Sequence, residues 1–148
     1  MELGLRVRRV GAAERALVLA ADVFDGPANP AGTARFLGEA GLADPRNILI
    51  IAELDGVVVG FASGTILDHP DKPRNLFIQE LGVNEPAQRR GIASALMAAL
   101  RAEGRAAGCR TSWVLTEKGN APARGVYAST GGHETTVVVM YDWEEPET

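Results

Sequence analysis

The sequence is short of the features that mark several large classes of protein. It has one cysteine, Cys109, so no disulfide can close within the chain, and a reducing, cytoplasmic setting is expected. With no histidine or second cysteine near it in sequence, Cys109 reads as a small buried residue rather than a reactive thiol. The two histidines, His69 in a proline loop and His133 in a glycine turn, lack partners at ligand spacing, so no metal is expected. There is no Lys/Arg-rich run, which argues against a nucleic-acid or anionic-membrane surface. Long apolar runs are also missing. Residues 1–10 alternate charged and apolar side chains, a pattern of neither a signal peptide nor a membrane span.

What is present is the composition of one globular domain spanning residues 1–148, 46% hydrophobic and 23% charged. Fifteen basic residues against 19 acidic ones leave a net charge of −4, so any electrostatic preference is for a cation.

The periodicities predict an ordered series of elements. Leu5, Val7 and Val10 mark an opening strand, and residues 12–24 a helix with Leu17, Val18, Ala21 and Phe24 on one face, stopped by Asp25-Gly26-Pro27. A second helix is expected over 31–40, closed by Gly41. Two apolar runs, 48–54 and 57–67, flank Asp55-Gly56, a pair suited to a type I′ hairpin turn. A proline loop over 69–74 precedes a strand over 76–83. From Gly91 the period changes to about 3.6 residues, with Ile92, Leu96, Ala99, Leu100 and Ala107 on one face and Gly108 as the stop. A strand over 110–115, a short helix over 121–129 and a β-branched closing strand over 135–143 complete the series, with Trp143 packing at that strand. Trp113 is expected in the core. The implied architecture is α+β, one mixed sheet with helices on both faces.

Gln88-Arg89-Arg90-Gly91-Ile92-Ala93, followed by Ser94, joins a strand to the long helix. The first turn of a helix has N–H groups without intrahelical acceptors and carries partial positive charge, so it stabilises an anion. Gly91 and Ala93 lack bulk that would keep a pyrophosphate away. A glycine at a helix start beside two solvated arginines is the plainer alternative, and the loop by itself does not decide between them.

The setting makes a resemblance specific. Glu80-Leu81-Gly82-Val83 on a strand, a short turn, Q-R-R-G-I-A and an amphipathic helix resemble the acetyl-CoA-binding core of the GNAT superfamily, with its Q/R-x-x-G-x-G/A signature. The stretch from Asn120 through Ala123 and Tyr127 to Gly131 resembles that family's N-x-x-A-x-x-x-Y-x-x-x-G helix. The resemblance covers nearly the whole chain. It implies the GNAT acyl-CoA N-acyltransferase fold, a central mixed and mostly antiparallel sheet in which the Leu81–Val83 strand is bulged and splays from the strand over 110–115. It implies acetyl-CoA as cosubstrate and direct transfer to an amine in a ternary complex. Dimers are frequent in the family, and the apolar closing strand permits a homodimer here.

Roles follow from the same resemblance. The backbone of Leu81, Gly82 and Val83 would meet the pantetheine and thioester, with an N–H to stabilise a developing oxyanion. Gln88, Arg89, Arg90, Gly91, Ile92, Ala93 and Ser94 would hold the pyrophosphate, and Asn120 would touch the pantetheine arm. Glu80 is the candidate base for an ammonium substrate, with Gln79 and Leu81 on the opposite strand face, although an ion pair with a core arginine is an alternative. Tyr127 is the candidate proton donor to the departing thiolate.

Asp22-Val23-Phe24-Asp25, the loop His69-Pro70-Asp71-Lys72-Pro73-Arg74, the strand ending Glu80-Leu81-Gly82-Val83 and Val114-Leu115-Thr116-Glu117 are similar to the GNAT-fold aminoglycoside 3-N-acetyltransferases. The implied substrate is a polycationic small molecule acetylated at a 3-amino group, its ammonium groups met by Glu80 and Glu117, with Asp25 and Asp142 as further carboxylates. Here the chain departs from that group: Glu80 and Glu117 stand where Asp is usual, Asn120 where an acid is usual, and Lys118 adds a cation that weakens the pull. Another small polyamine, a peptide amine, and a non-catalytic acetyl-CoA-binding module are the competing readings.

Overall fold

The computed structural model describes residues 4–24, 30–38 and 41–147. Five strands form one sheet in the order β1-β2-β3-β4-β5: β1 (Leu5–Val10), β2 (Asn47–Leu54), β3 (Val57–Leu67), β4 (Asn75–Val83) and β5 (Thr111–Val114). The first four are antiparallel neighbours, and β5 lies parallel to β4. A parallel neighbour needs a crossover, and α3 (Ile92–Ala106) supplies it. The helices α1 (Arg15–Ala20), α2 (Pro30–Leu37) and α4 (Ala121–Ser129) complete the set.

Burial of both sheet faces explains why β2 is an almost unbroken apolar run. Ile48, Ile50 and Ala52 join Leu96, Met97 and Leu100 of α3 in one cluster, which Val126 and Tyr127 of α4 flank. Leu49 and Ile51 point the other way, into a cluster with Val18 of α1 and Leu37 of α2. The mixed sheet with helices on both faces is therefore as expected. So is the β2–β3 hairpin, whose Asp55 and Gly56 both have positive φ, 52° and 82°, as a type I′ turn requires.

Three elements depart from expectation. The first helical segment begins as a 3-10 turn, Ala12–Glu14, and its α-helix ends at Ala20 rather than residue 24. Ala21 turns to extended backbone, Asn84 Nδ2 donates to Asp22 O at 2.9 Å, Val23 is buried and Phe24 packs edge-on against Phe61, so sheet contacts override helical propensity. The second helix ends at Leu37, before the expected residue 40; Gly38 N donates to Arg35 O as it stops. The largest departure is the closing strand. Residues 133–147 have no strand or helix and are exposed throughout.

Candidate active site

The register of β4 sets the geometry of the site. Ser63 pairs with Glu80, but the next residue, Gly64, pairs with Ile78, so β4 carries one extra residue at Gln79. This bulge shifts the phase of the strand. Leu76 and Ile78 belong to the α3-side cluster, and beyond the bulge it is Leu81 and Val83, rather than 80 and 82, that pack there. Gln79 accepts from Thr65 Oγ1 at 3.1 Å, and Glu80 is paired with Ser63, two residues along β3 from Thr65. Gln79 and Glu80 therefore share the face away from α3. The expectation that Gln79 and Leu81 both oppose Glu80 holds for Leu81 and fails for Gln79, because a bulge breaks strict alternation.

β4 and β5 are paired only from Asn75↔Thr111 to Ile78↔Val114. Beyond Ile78 the strands part, which leaves the β5-facing side of Leu81, Gly82 and Val83 without a strand partner. The bulge and the splay together open a V at the C-terminal end of the parallel pair. Glu80 is exposed at this bulge and, among the described residues, forms no ion pair, so the core-arginine alternative does not hold.

The loop after β4 is shaped by its own residues. A 3-10 turn, Glu85–Ala87, carries the chain away from the sheet, and Gln88 Nε2 donates back to Val83 O at 2.9 Å. Arg89 and Gly91 take positive φ, 65° and 77°. Gly91 is the N-cap of α3 in left-handed conformation, with no side chain capping the helix. The first intrahelical bond from this cap is Ala95 N to Gly91 O, so the N–H groups of Ile92, Ala93 and Ser94 have no intrahelical acceptor. A Cβ at Gly91 would meet nothing within 4 Å, so the space before this turn is open. Ile92 is buried and anchors the turn, while Arg89 and Arg90 are exposed beside it.

Tyr127 of α4 packs on the α3-side cluster and lines a cavity of about 330 Å³ with Ile78, Met97, Trp113, Val114 and His133. Burial pushes its phenol above the ordinary tyrosine value, so the hydroxyl keeps its proton at neutral pH. Asn120 caps the same helix: its Oδ1 accepts from Ala123 N at 3.2 Å, leaving the amide N–H₂ available to a ligand. Glu117 is exposed in the turn between β5 and α4, where its carbonyl accepts from Asn120 N. Asp142 lies on the exposed C-terminal segment and is not brought to Glu80 or Glu117 by any hydrogen bond or ion pair among the described residues. Asp25 lies outside the described residues.

Cys109 is half-buried at the cavity rim, and its thiol is pushed up by burial, against an opposing pull from Arg74. That suits a packing residue and not a nucleophile. Trp113 departs from the core position expected of it: it stacks on Phe77 at 4.4 Å and donates to Asn75 Oδ1 at 2.8 Å, with 42% of its surface exposed. Trp143 is exposed, with its ring 6.4 Å from that of Tyr141. Among the described residues, no group of three or more His, Cys, Asp or Glu side chains could hold a metal ion, and no helix is long and apolar enough to cross a membrane.

The chain as a whole has counterparts among known proteins. Residues 14–131 match the Acetyltransferase (GNAT) family. The chain belongs to the GNAT acetyltransferase family. This GNAT acetyltransferase is 32% identical over 114 residues to the aminoglycoside N(6′)-acetyltransferase type 1 of Salmonella typhimurium strain LT2, covering 70% of the chain and 79% of the relative. Among solved structures, AAC(6′)-Iy in complex with the bisubstrate analog CoA-S-monomethyl-acetylneamine superposes with a TM-score of 0.78 at 25% identity, over 95% of this chain and 98% of that one. An aminoglycoside acetyltransferase from an uncultured soil metagenomic sample, in complex with sisomicin, shares the fold with a TM-score of 0.75 at 19% identity, over 96% and 97% of the two chains. The Salmonella relative and AAC(6′)-Iy carry the 6′ position in their names, and the expected likeness to 3-N-acetyltransferases is corrected accordingly: the described stretches behind it, such as residues 69–74 and Glu80 to Val83, lie in a loop and at a strand end that the fold alone does not tie to one amino position.

Proposed function

We propose that this enzyme, acting as one domain over residues 1–148, transfers acetyl from acetyl-CoA to a primary amine of an aminoglycoside, with the 6′-amine preferred to the 3-amine expected from sequence. The uncapped α3 start carries this reading. Three N–H groups, at Ile92, Ala93 and Ser94, stand before open space, next to Arg89 and Arg90 and beyond a cap whose φ of 77° suits glycine. That donor set fits a pyrophosphate. Leu81, Gly82 and Val83 offer backbone groups in the V to an extended arm carrying amides, and the Asn120 amide N–H₂ is a further donor. When bound there, acetyl-CoA supplies an activated acyl group and a thiolate leaving group.

The remaining steps belong to the chain's own residues. Glu80, exposed at the bulge, accepts a proton from the substrate ammonium directly or through water, because only the neutral amine is nucleophilic. Tyr127 holds its proton at neutral pH and donates it to the leaving sulfur. Glu117 and the net charge of −4 favour a polycation, and Lys118 beside Glu117 tempers that pull. The likeness to the Salmonella N(6′)-acetyltransferase supports this substrate class, and the carboxylates at Glu80 and Glu117 support a cationic one independently.

The test is release of free coenzyme A from acetyl-CoA with kanamycin, gentamicin, spermidine and a lysine peptide in parallel, with mass spectrometry locating the acetyl group. Turnover with the aminoglycosides and acetylation at the 6′-nitrogen is expected. Preference for spermidine or the peptide overturns the substrate assignment, and binding of acetyl-CoA without turnover of any amine overturns the catalytic reading.

A further inference from the structure

α1 and α2 pack on the sheet face opposite α3, but they reach only part of it. Their apolar cluster takes Val10 from β1, Leu49 and Ile51 from β2, and Val58 and Phe61 from β3, and it includes no residue of β4 or β5. On β4 and β5 that face carries Phe77 and Trp113. Leu76 and Ile78, on either side of Phe77, belong to the α3-side cluster, so strand alternation points Phe77 away from α3. Phe77 and Trp113 are register partners whose rings stack, with centroids 4.4 Å apart and planes 23° apart, which puts Trp113 on the same side.

Trp113 is 42% exposed, yet its indole is fixed twice. Phe77 covers one face of the ring, so the exposed surface belongs to the other face and the edges. Trp113 Nε1 donates to Asn75 Oδ1 at 2.8 Å, and Asn75 Nδ2 lies 2.9 Å from His69 Nε2. An indole nitrogen can only donate, so Oδ1 must face it, and the amide N–H₂ is left to donate to Nε2 of a neutral imidazole. A large aromatic surface held in one orientation while open to solvent loses little entropy when a ligand covers it.

The same face leads to unpaired charge. β4 and β5 run parallel, so both strands lead from the ring pair towards the mouth of the V, where Glu80 stands three residues beyond Phe77 and Glu117 four beyond Trp113. At about 3.3–3.6 Å per residue, the backbone reach from the pair to either glutamate is at most about 10–14 Å. Both glutamates are exposed, and among the described residues neither forms an ion pair. An aminosugar is the complement of this surface, because the C–H bonds of its ring make an apolar face while its ammonium groups project from the edge.

We propose that Trp113, held by Phe77 and Asn75, is a specificity-determining floor of the amine site: its open face stacks on the apolar face of one aminoglycoside ring while Glu80 and Glu117 meet ammonium groups. This inference rests on the aminoglycoside reading of the site and adds what separates an aminosugar from a linear polyamine. Carboxylates attract both, whereas only a ring has a face to lay on the indole.

The experiment uses the full chain in buffer containing coenzyme A. Trp143→Phe, at a side chain 77% exposed, leaves Trp113 as the one tryptophan, and kanamycin is expected to change its emission saturably. In calorimetry, Trp113→Ala is expected to raise the Kd for kanamycin about tenfold and Trp113→Phe less than about threefold, with acetyl-CoA affinity and circular dichroism unchanged. Spermidine, which has no ring, is expected to bind wild type and Trp113→Ala alike. Unaltered emission while calorimetry registers kanamycin binding overturns the proposal. So does an equal kanamycin Kd for wild type and Trp113→Ala, an equal loss in Trp113→Ala and Trp113→Phe, a matching loss for spermidine, or a wild type that binds no kanamycin. Should Trp113→Ala fail to fold, the emission of Trp113 decides. Acetylation is read separately: kanamycin that binds on Trp113 without being acetylated overturns the proposed activity and leaves this inference standing.

Discussion

At the scale of single residues, the bulge at Gln79 decides what Glu80 can do. Without it Glu80 would face α3 and the apolar cluster there; with it the carboxylate stands on the opposite face, exposed at the mouth of the V. Replacing Glu80 with Gln is expected to lower turnover most at the acid side of the pH profile, where the substrate is most fully protonated, and superimposable profiles for the two proteins would remove Glu80 from proton transfer. Tyr127 makes a complementary prediction. Tyr127→Phe is expected to lower kcat about 100-fold with little change in acetyl-CoA affinity, as kinetics and calorimetry would show. Burial also gives its phenol a signature: the absorbance difference between wild type and Tyr127→Phe should titrate above the ordinary value of 10.0. The sign follows from linkage. A group whose folded value is raised contributes stability that is fully present below its unfolded value and lost as pH rises through the folded one, so this contribution should vanish only in strong alkali.

At the scale of elements, α3 is both the crossover that makes β5 parallel and the helix whose start forms the anion site. Its packing is close: a Cβ at Gly104 would stand 3.0 Å from Leu76 Cδ2 on β4, and Leu100 is fully buried. Leu100→Ala should therefore cost about 2–5 kcal/mol in urea unfolding, from lost transfer energy and the cavity left behind. Gly91→Ala tests the other end of the helix. With φ at 77° and open space around the missing Cβ, the cost should be conformational, about 1–2 kcal/mol, without steric repacking. The new methyl group also stands in the space before the first-turn N–H groups, so acetyl-CoA affinity should fall in the same variant. Unchanged affinity would argue that the diphosphate sits elsewhere.

At the scale of the whole molecule, the net charge of −4 and the exposed carboxylates at Glu80 and Glu117 predict that KM for a polycationic substrate rises with ionic strength, several-fold between about 0.05 and 0.5 M salt, while KM for acetyl-CoA does not rise in parallel. Steady-state kinetics in a salt series would check this. Much of the molecule could be read from the chain alone, because the deciding forces were local or periodic. Asp55-Gly56 dictated the hairpin, the 3.6-residue pattern after Gly91 dictated α3, and Asn120 dictated the start of α4 by capping it. The two motifs that carry the family resemblance belong to this local class, since each is a helix start with its flanking turn. Other features depended on partners distant in sequence. The first helix stops at Ala20 because Asn84 and Phe61 hold residues 22–24, and Gln79 becomes a bulge through the register β4 keeps with β3. Residues 135–143 carry every local mark of a strand, yet a strand exists only where another edge accepts its hydrogen bonds. Propensity is written residue by residue, whereas pairing is a property of two segments at once, and that second requirement is settled in three dimensions.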